Sequence, residues 1–287
     1  MDFKISLEGM KVEDLTKSDL VKLIDEQKKQ IELQENFLLN ISHDLRSPIN
    51  VILSVLQCLK YESKDSKEIE DKREEYRQVI RRNSLKILKL VDNLIDASKL
   101  QKNYYNLEKH NVDIICLIEA TVDSINKYAE LKNIKVIFDT NVEECMCNVD
   151  PQAIDRIVMN LISNALKFSP NGSEVDVIVN VSDKDIKISV EDHGKGISEK
   201  DQKIIFNRFV QSRNNKGHSG SGIGLDLVNY LSKAHGGKVE LYSKEGIGSN
   251  FVVTIPLVKA NGVEKKNLIE SRSKIEQLEV EFSDIYL

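Results

Sequence analysis

Asn40-Ile41-Ser42-His43-Asp44-Leu45-Arg46-Ser47-Pro48-Ile49-Asn50 sets one histidine on a helical apolar pattern, with an acid directly after it and a proline five residues on. Around it, apolar or semi-apolar residues fall at Phe37, Ile41, Leu45, Pro48, Ile52, Val55 and Leu59, in steps of 4, 4, 3, 4, 3 and 4. That spacing is the seam of a helix packed against other helices. His43 lies just off the seam, where its ring reaches solvent. Asp44 is placed to polarise the ring through one nitrogen and leave the other as a nucleophile. Taken alone, the pattern also fits an ordinary surface histidine on a bundle helix.

Upstream, the helical pattern starts at Ser18, a candidate N-cap, with Leu20, Leu23, Ile24 and Ile31 as its apolar face. Pro48 is expected to kink the helix one turn past His43, because it removes an amide donor and crowds the preceding turn. Residues 60–71 are charged and polar and read as a hairpin tip. A second pattern follows at Tyr76, Ile80, Asn83, Ile87, Leu90, Leu94 and Ala97. Two helices with narrow apolar stripes predict an antiparallel hairpin. Two such hairpins pairing into a four-helix dimer bury what one leaves exposed. An isolated coiled coil without catalysis shares the same pattern.

Beyond a linker at 103–110 the style changes. Residues 112–131 read as a helix, and Ile134, Val136 and Phe138 alternate as a strand. Asp150-Pro151 opens a helix with proline at its favoured first position. Val175, Val177, Val179 and Val181 predict a strand; Ile186, Ile188 and Val190 predict the next, with a hairpin connection over 180–185. Residues 239–242 and 251–255 supply two more. Helices segregated from an antiparallel or mixed sheet predict an α+β two-layer sandwich of about 150 residues. The expected divisions are an N-terminal segment (1–30), the helical hairpin (31–103), the sandwich (104–257) and a charged tail (258–287). In the tail, Leu278, Val280 and Phe282 alternate as a docking strand would.

Bulk properties narrow the classes. At 287 residues the chain has room for two domains. A formal charge of -5 gives no electrostatic case for nucleic acid or an anionic membrane. Cys58, Cys116, Cys145 and Cys147 match no zinc spacing, and Cys145 and Cys147 are too close for a sensible disulfide. No apolar run approaches the ~20 residues that span a bilayer. The first residues lack the apolar core of a signal peptide. Reduced thiols and a cytoplasmic location are expected.

Three constellations carry chemistry. On the helix after Pro151, Asn160, Asn164 and Lys167 are four and then three residues apart, so one face presents two amides and an ammonium. An amide oxygen is a hard ligand suited to Mg²⁺, and a lysine neutralises phosphate; a solvated polar face is the plainer alternative. Next, Asp192 shares strand parity with Ile186, Ile188 and Val190, which points its carboxylate toward the core side. A buried carboxylate needs a donor, which an adenine amino group supplies, and Gly194 and Gly196, ahead of Ile197, let a flat base approach. The same residues also suit a glycine turn with Asp192 bonded to local amides. Third, Gly220-Ser221-Gly222-Ile223-Gly224-Leu225 precedes a helix over 227–235, which makes an anion site of backbone donors. It follows no strand and lacks a Gly-Lys-Ser/Thr sequence, so it is neither a dinucleotide fingerprint nor a P-loop. Before it, residues 212–219 are polar, with Arg213 and Lys216, as a lid over phosphates would be. Phe206 and Phe209 flank Arg208 and are placed to anchor that lid.

In this order the pieces resemble a sensor histidine kinase of the two-component type, whose ATP-binding fold is shared with gyrase, Hsp90-type and MutL-type ATPases. The likeness runs over about residues 30–257: a phosphoacceptor box at 41–48, an asparagine box at 160–167, glycine boxes at 192–197 and 220–225, and a phenylalanine box at 206–209. The resemblance implies that His43 is phosphorylated, with Asp44 as its activating acid. It implies that Asn164 holds Mg²⁺, that Asn160 and Lys167 line an ATP site with Arg208 and Phe209, and that Asp192 reads adenine. It implies a homodimer and a response-regulator receiver as partner. Ser47 stands where many members have Thr or Asn, at a position tied to phosphatase activity. Gln211 stands where many have Arg near the γ-phosphate, a role that Arg208 or Arg213 is placed to cover. An ATPase clamp of the same fold and a non-catalytic receiver-binding module remain as alternatives.

Overall fold

The computed structural model describes residues 16–61, 67–101, 106–207, 209–210, 222–260 and 272–283. Two compact units divide the chain, Met1–His43 and Asp44–Leu287. The first holds the start of helix α1 (Lys17–Tyr61). Asp19 N donates to Thr16 Oγ1 at 3.3 Å, and Thr16 N donates to the Asp19 carboxylate at 3.2 Å. This reciprocal cap satisfies two donors that a helix start would orphan. Thr16 is therefore the cap, and the expected Ser18 sits inside the first turn. Phe37 and Ile41 are buried, as the seam requires, and His43 is exposed.

The second unit begins with the rest of α1, which runs through Pro48 to Tyr61. With α2 (Lys67–Gln101) it forms the helical hairpin. The expected tip over 60–71 shrinks, because α1 reaches residue 61 and α2 begins at 67. Lys, Glu and Asp are tolerated in helices, so charge by itself is no loop signal. Pro48, Val55 and Ala97 are buried, and Ile52, Leu59, Ile80, Ile87 and Leu90 are half-buried. Leu94, expected on the seam, is 40% exposed. Further apolar stripes stand open at Ile49, Leu53 and Leu56 and at Leu88, Val91 and Ile95.

The remaining elements build an α/β sandwich. In chain order they are β1 (His110–Asp113), α3 (Ile114–Ala129), β2 (Lys135–Thr140), β3 (Met146–Val149), α4 (Pro151–Phe168), β4 (Glu174–Val181) and β5 (Asp185–Asp192). A short α5 (Glu199–Gln202), α6 (Gly224–Ala234), β6 (Lys238–Lys244), β7 (Gly248–Pro256) and α7 (Arg272–Glu281) complete it. The main sheet has the order β2-β4-β5-β7-β6, with β2 and β4 parallel and the other neighbours antiparallel. Helices α3, α4 and α6 pack on the sheet. Buried Val175, Val177, Val179, Ile186, Ile188 and Val190 alternate along β4 and β5, which is the parity expected of a sheet covered on one face.

Three expectations change here. The helix expected over 112–131 starts at Ile114, where Asp113 caps it by accepting from Ile115 N at 3.1 Å. Its first two residues belong to β1, which pairs antiparallel with β3; neither four-residue strand carries enough alternation to be read alone. The helix expected from Leu227 starts three residues earlier, at Gly224. The strand expected at Leu278, Val280 and Phe282 is instead helix α7 and the turn after it. All three side chains are buried because α7 has neighbours on more than one side, α2 and α4 among them, so burial follows no single face.

Candidate functional site

Helix α4 supplies one wall of the site. Asp150 caps it by accepting from Gln152 N and Ala153 N, both at 3.0 Å, and Pro151 occupies the first turn. Ile154, Ile157, Val158, Leu161, Ile162, Ala165 and Leu166 face the core. Asn160, Asn164 and Lys167 are left half-buried on the opposite rim. Asn160 Nδ2 donates to Arg156 O at 2.8 Å, and its Oδ1 lies so near Gly224 that an added Cβ there would sit 2.5 Å away. That approach brings the asparagine face of α4 to the N-terminus of α6. Among the described residues no side chain caps α6, and the positive end of a helix favours an anion.

Asp192 ends β5 at 6% exposure. Its carboxylate accepts from Gly194 N at 2.9 Å and from the Ser249 amide, yet burial holds its pKa above the ordinary value. A buried acceptor with lone pairs to spare is suited to an amino group. Gly194 sits under the end of α4: a Cβ there would stand 2.6 Å from Phe168 O. Asp192, Gly194 and the C-terminal end of α4 are thereby brought together. A cavity of about 350 Å³ opens beside them, lined by Lys167, Phe168, Ser169, His193, Gly194 and Lys195 among others. Lys195 Nζ lies 4.9 Å and Lys167 Nζ 5.7 Å from the centre of the Phe168 ring. Gly196 has φ of 64°, and a Cβ on it would collide with Lys244 O at 2.0 Å, so only glycine fits. Ile197 N donates to Ser243 Oγ at 2.9 Å, which seats the loop on the β6–β7 hairpin.

Phe206 packs edge-on against Phe251 at 6.3 Å. Phe209 has φ of 64°, an uncommon conformation outside glycine, and its N–H donates to Gly222 O at 3.1 Å. This bond joins one residue before and one residue after the stretch expected to act as a lid. Arg208, Gln211, Arg213, Lys216, Gly220 and Ser221 lie outside the described residues. Ile223 is buried and Leu225 half-buried at the start of α6. His43 is exposed on α1 and Asp44 half-buried, with Ser47 exposed one turn on.

Sequence reasoning passed over Phe168, Lys195 and Ser249. Phe168 and Lys195 were signalled by position, directly after Lys167 and between the two glycines. Ser249 acts through its backbone, which no residue identity announces. Among the described residues, no cluster of three or more His, Cys, Asp or Glu could hold a metal, and no helix is long and apolar enough to cross a membrane.

Residues 33–103 match the His Kinase A (phospho-acceptor) domain model, and residues 149–259 match the model of the histidine kinase-, DNA gyrase B- and HSP90-like ATPases. The chain belongs to the sensor histidine kinases. Sensor protein EvgS of Escherichia coli K12 is 32% identical over 256 residues, covering 85% of this kinase chain and 21% of EvgS. Full-length ShkA, solved in complex with AMPPNP, superposes with a TM-score of 0.60 at 25% identity, covering 78% of this chain and 46% of ShkA. Histidine kinase ThkA, solved in complex with the response regulator protein TrrA, shares the fold at a TM-score of 0.56 and 19% identity, covering 85% of this chain and 68% of that one. The kinase chain spans about a fifth of the length of the first curated relatives it matches.

Proposed function

We propose that this chain is an ATP-dependent protein-histidine kinase that phosphorylates itself on His43 and passes the phosphoryl group to an aspartate of a response-regulator receiver. One observation carries the reading. Asn160 meets the uncapped start of α6, and Asp192 and Gly194 meet the end of α4, in the same chain as an exposed histidine on a helical hairpin. Asp192 accepts the adenine amino group, while Lys167 and the α6 N–H groups take the phosphates. Phe209 anchors the expected lid over 212–219, and Arg208, Gly220 and Ser221, on either side of it in sequence, are assigned to the phosphates. The Asn164 amide oxygen suits Mg²⁺, which keeps most of its shell from water and phosphate oxygens and so needs no carboxylate cluster. Bound there, the ion would offset charge on the transferring group.

The neutral His43 imidazole attacks the γ-phosphorus in line. The N–P bond forms, the P–O bond to ADP breaks, and Asp44 holds the N–H on the far side of the ring. A receiver carboxylate then takes the phosphoryl group from the imidazole. Segments 31–103 and 104–257 act as donor hairpin and ATP-binding domain. The open stripes at Ile49, Leu53 and Leu56 and at Leu88, Val91 and Ile95 are the surfaces a second copy would cover, so the working form is a homodimer. Ser47 stands where it would position water for dephosphorylating the receiver. The cytoplasm, where ATP is supplied, is the site of action.

His43→Gln is the direct test. It should abolish acid-labile, base-stable ³²P incorporation from ATP while nucleotide binding persists. Retained labelling would reject the assignment of His43.

A further inference from the structure

Helix α2 carries three charged side chains on one flank, and each is met by a charge from the sandwich or from α7. Arg81, Lys89 and Asp96 are eight and seven residues apart, which places them within roughly 80° of helix arc. Arg81 Nη2 donates to both carboxylate oxygens of Glu279 at 2.8 Å. Lys89 Nζ donates to Glu281 O and lies 3.5 Å from the same residue's carboxylate. Asp96 pairs with Arg156 of α4. From Arg81 to Asp96 these contacts line about 22 Å of α2.

The other attachments of α7 differ in kind. Leu278, Val280 and Phe282 are buried, and Phe282 stacks on Tyr128 of α3 with ring centres 5.5 Å apart. Stacked apolar surface is not weakened by charge screening. The Arg81 pair is the opposite, with the arginine side chain 67% exposed and open to screening. Helix α7 is thus tied to the sandwich by the Phe282–Tyr128 stack and meets α2 through two ionic contacts, of which the Arg81–Glu279 pair is the one open to water.

We infer that α7 is a releasable strap that restrains the ATP-binding domain on α2, and that its ionic contacts must let go before the domain phosphorylates the histidine at full rate. The inference rests on the kinase reading above. A domain that delivers phosphate to a histidine and then clears it for a receiver needs at least two poses. Contacts spread along 22 Å of one helix flank, by the same residue count, select a single pose.

The test reads the initial rate of His43 labelling from ATP. Arg81→Glu alters an exposed residue and leaves the core intact. It should speed labelling about two- to fivefold, the scale of one exposed bidentate pair. Glu279→Arg should do the same, and the double swap should return the rate to that of the starting protein. ATP affinity should be unchanged in all three, since none lines the nucleotide site. Unchanged or slower labelling in the single variants, or a double swap as fast as either, overturns the strap. Absence of labelling in the starting protein would instead count against the kinase reading itself.

Discussion

Replacing Asp192 by Asn isolates one oxygen-for-nitrogen exchange at the base of the nucleotide site. The carboxylate already accepts from the amides of Gly194 and Ser249. It offers about four lone-pair sites, so about two remain for a ligand amino group. An asparagine keeps one oxygen and turns an NH₂ toward either a backbone N–H or the ligand. If the oxygen faces the ligand, a backbone N–H is left unsatisfied, at about 1–3 kcal/mol. If it faces the backbone, the ligand loses a charge-assisted bond of about 1.5–3 kcal/mol. The second loss acts directly on binding and corresponds to roughly 10- to 150-fold weaker ATP. Calorimetric titration with a non-hydrolysable ATP analogue measures it, with a thermal melt of the same sample as the folding control. A dissociation constant within about twofold of the starting protein, from a folded variant, would refute the placement of adenine at Asp192. Acidity gives a second handle. Burial raises the Asp192 pKa, so as pH falls the carboxylate is protonated earlier than an ordinary one and the acceptor is lost. ATP affinity should therefore fall on acidification at a pH above the usual carboxylate range, and Asp192→Asn should flatten that dependence.

Two further outcomes follow from buried ionisable groups. His235 Nε2 accepts from Asp150 N at 3.2 Å and Nδ1 donates to Leu231 O at 2.8 Å, an arrangement only the neutral ring can make. Burial lowers its pKa, so the unfolded chain takes up the proton first. Stability should fall with pH below about 6.5, by at most ~1.4 kcal/mol per pH unit, until the folded ring also titrates. Thermal melts between neutral and mildly acidic pH should show this slope, and His235→Asn should remove it. Arg156→Met strips the partner from Asp96, which is 2% exposed and whose pKa burial already raises. A loss of up to about 3 kcal/mol is expected at neutral pH, shrinking as pH falls and Asp96 takes up a proton. Adding Asp96→Asn should recover most of it, and a melt indifferent to pH in the single variant would contradict the buried charge.

How much of this was legible in residue order depends on how far each signal reaches. Amphipathic spacing found both hairpin helices, because a helix states its buried face every three or four residues, and Phe37, Ile41, Pro48 and Val55 are buried as that spacing requires. Strand parity placed Asp192 on the core side for the same local reason. Asp150-Pro151 announced the start of α4, since a cap and a proline act within one turn. Strands β1 and β3 went unread because each gains its identity from the other across more than thirty residues. The alternation at Leu278, Val280 and Phe282 misled for a related reason: it assumes one buried face, and α7 lies between several neighbours.

The order of residues by itself determined the chemistry this protein can offer: an imidazole beside an acid on a bundle helix, two amides and an ammonium on one helix face, a carboxylate at a strand end before two glycines. Those are properties of spacing, and spacing is local. Only the tertiary structure decided that Asn160 meets Gly224, that Phe168 lies over Gly194, that Ser249 helps hold Asp192 and that α7 reaches Arg81 and Lys89. Each joins residues far apart in the chain. Such meetings are set by which surfaces burial favours and which backbones can approach, and no short stretch encodes either.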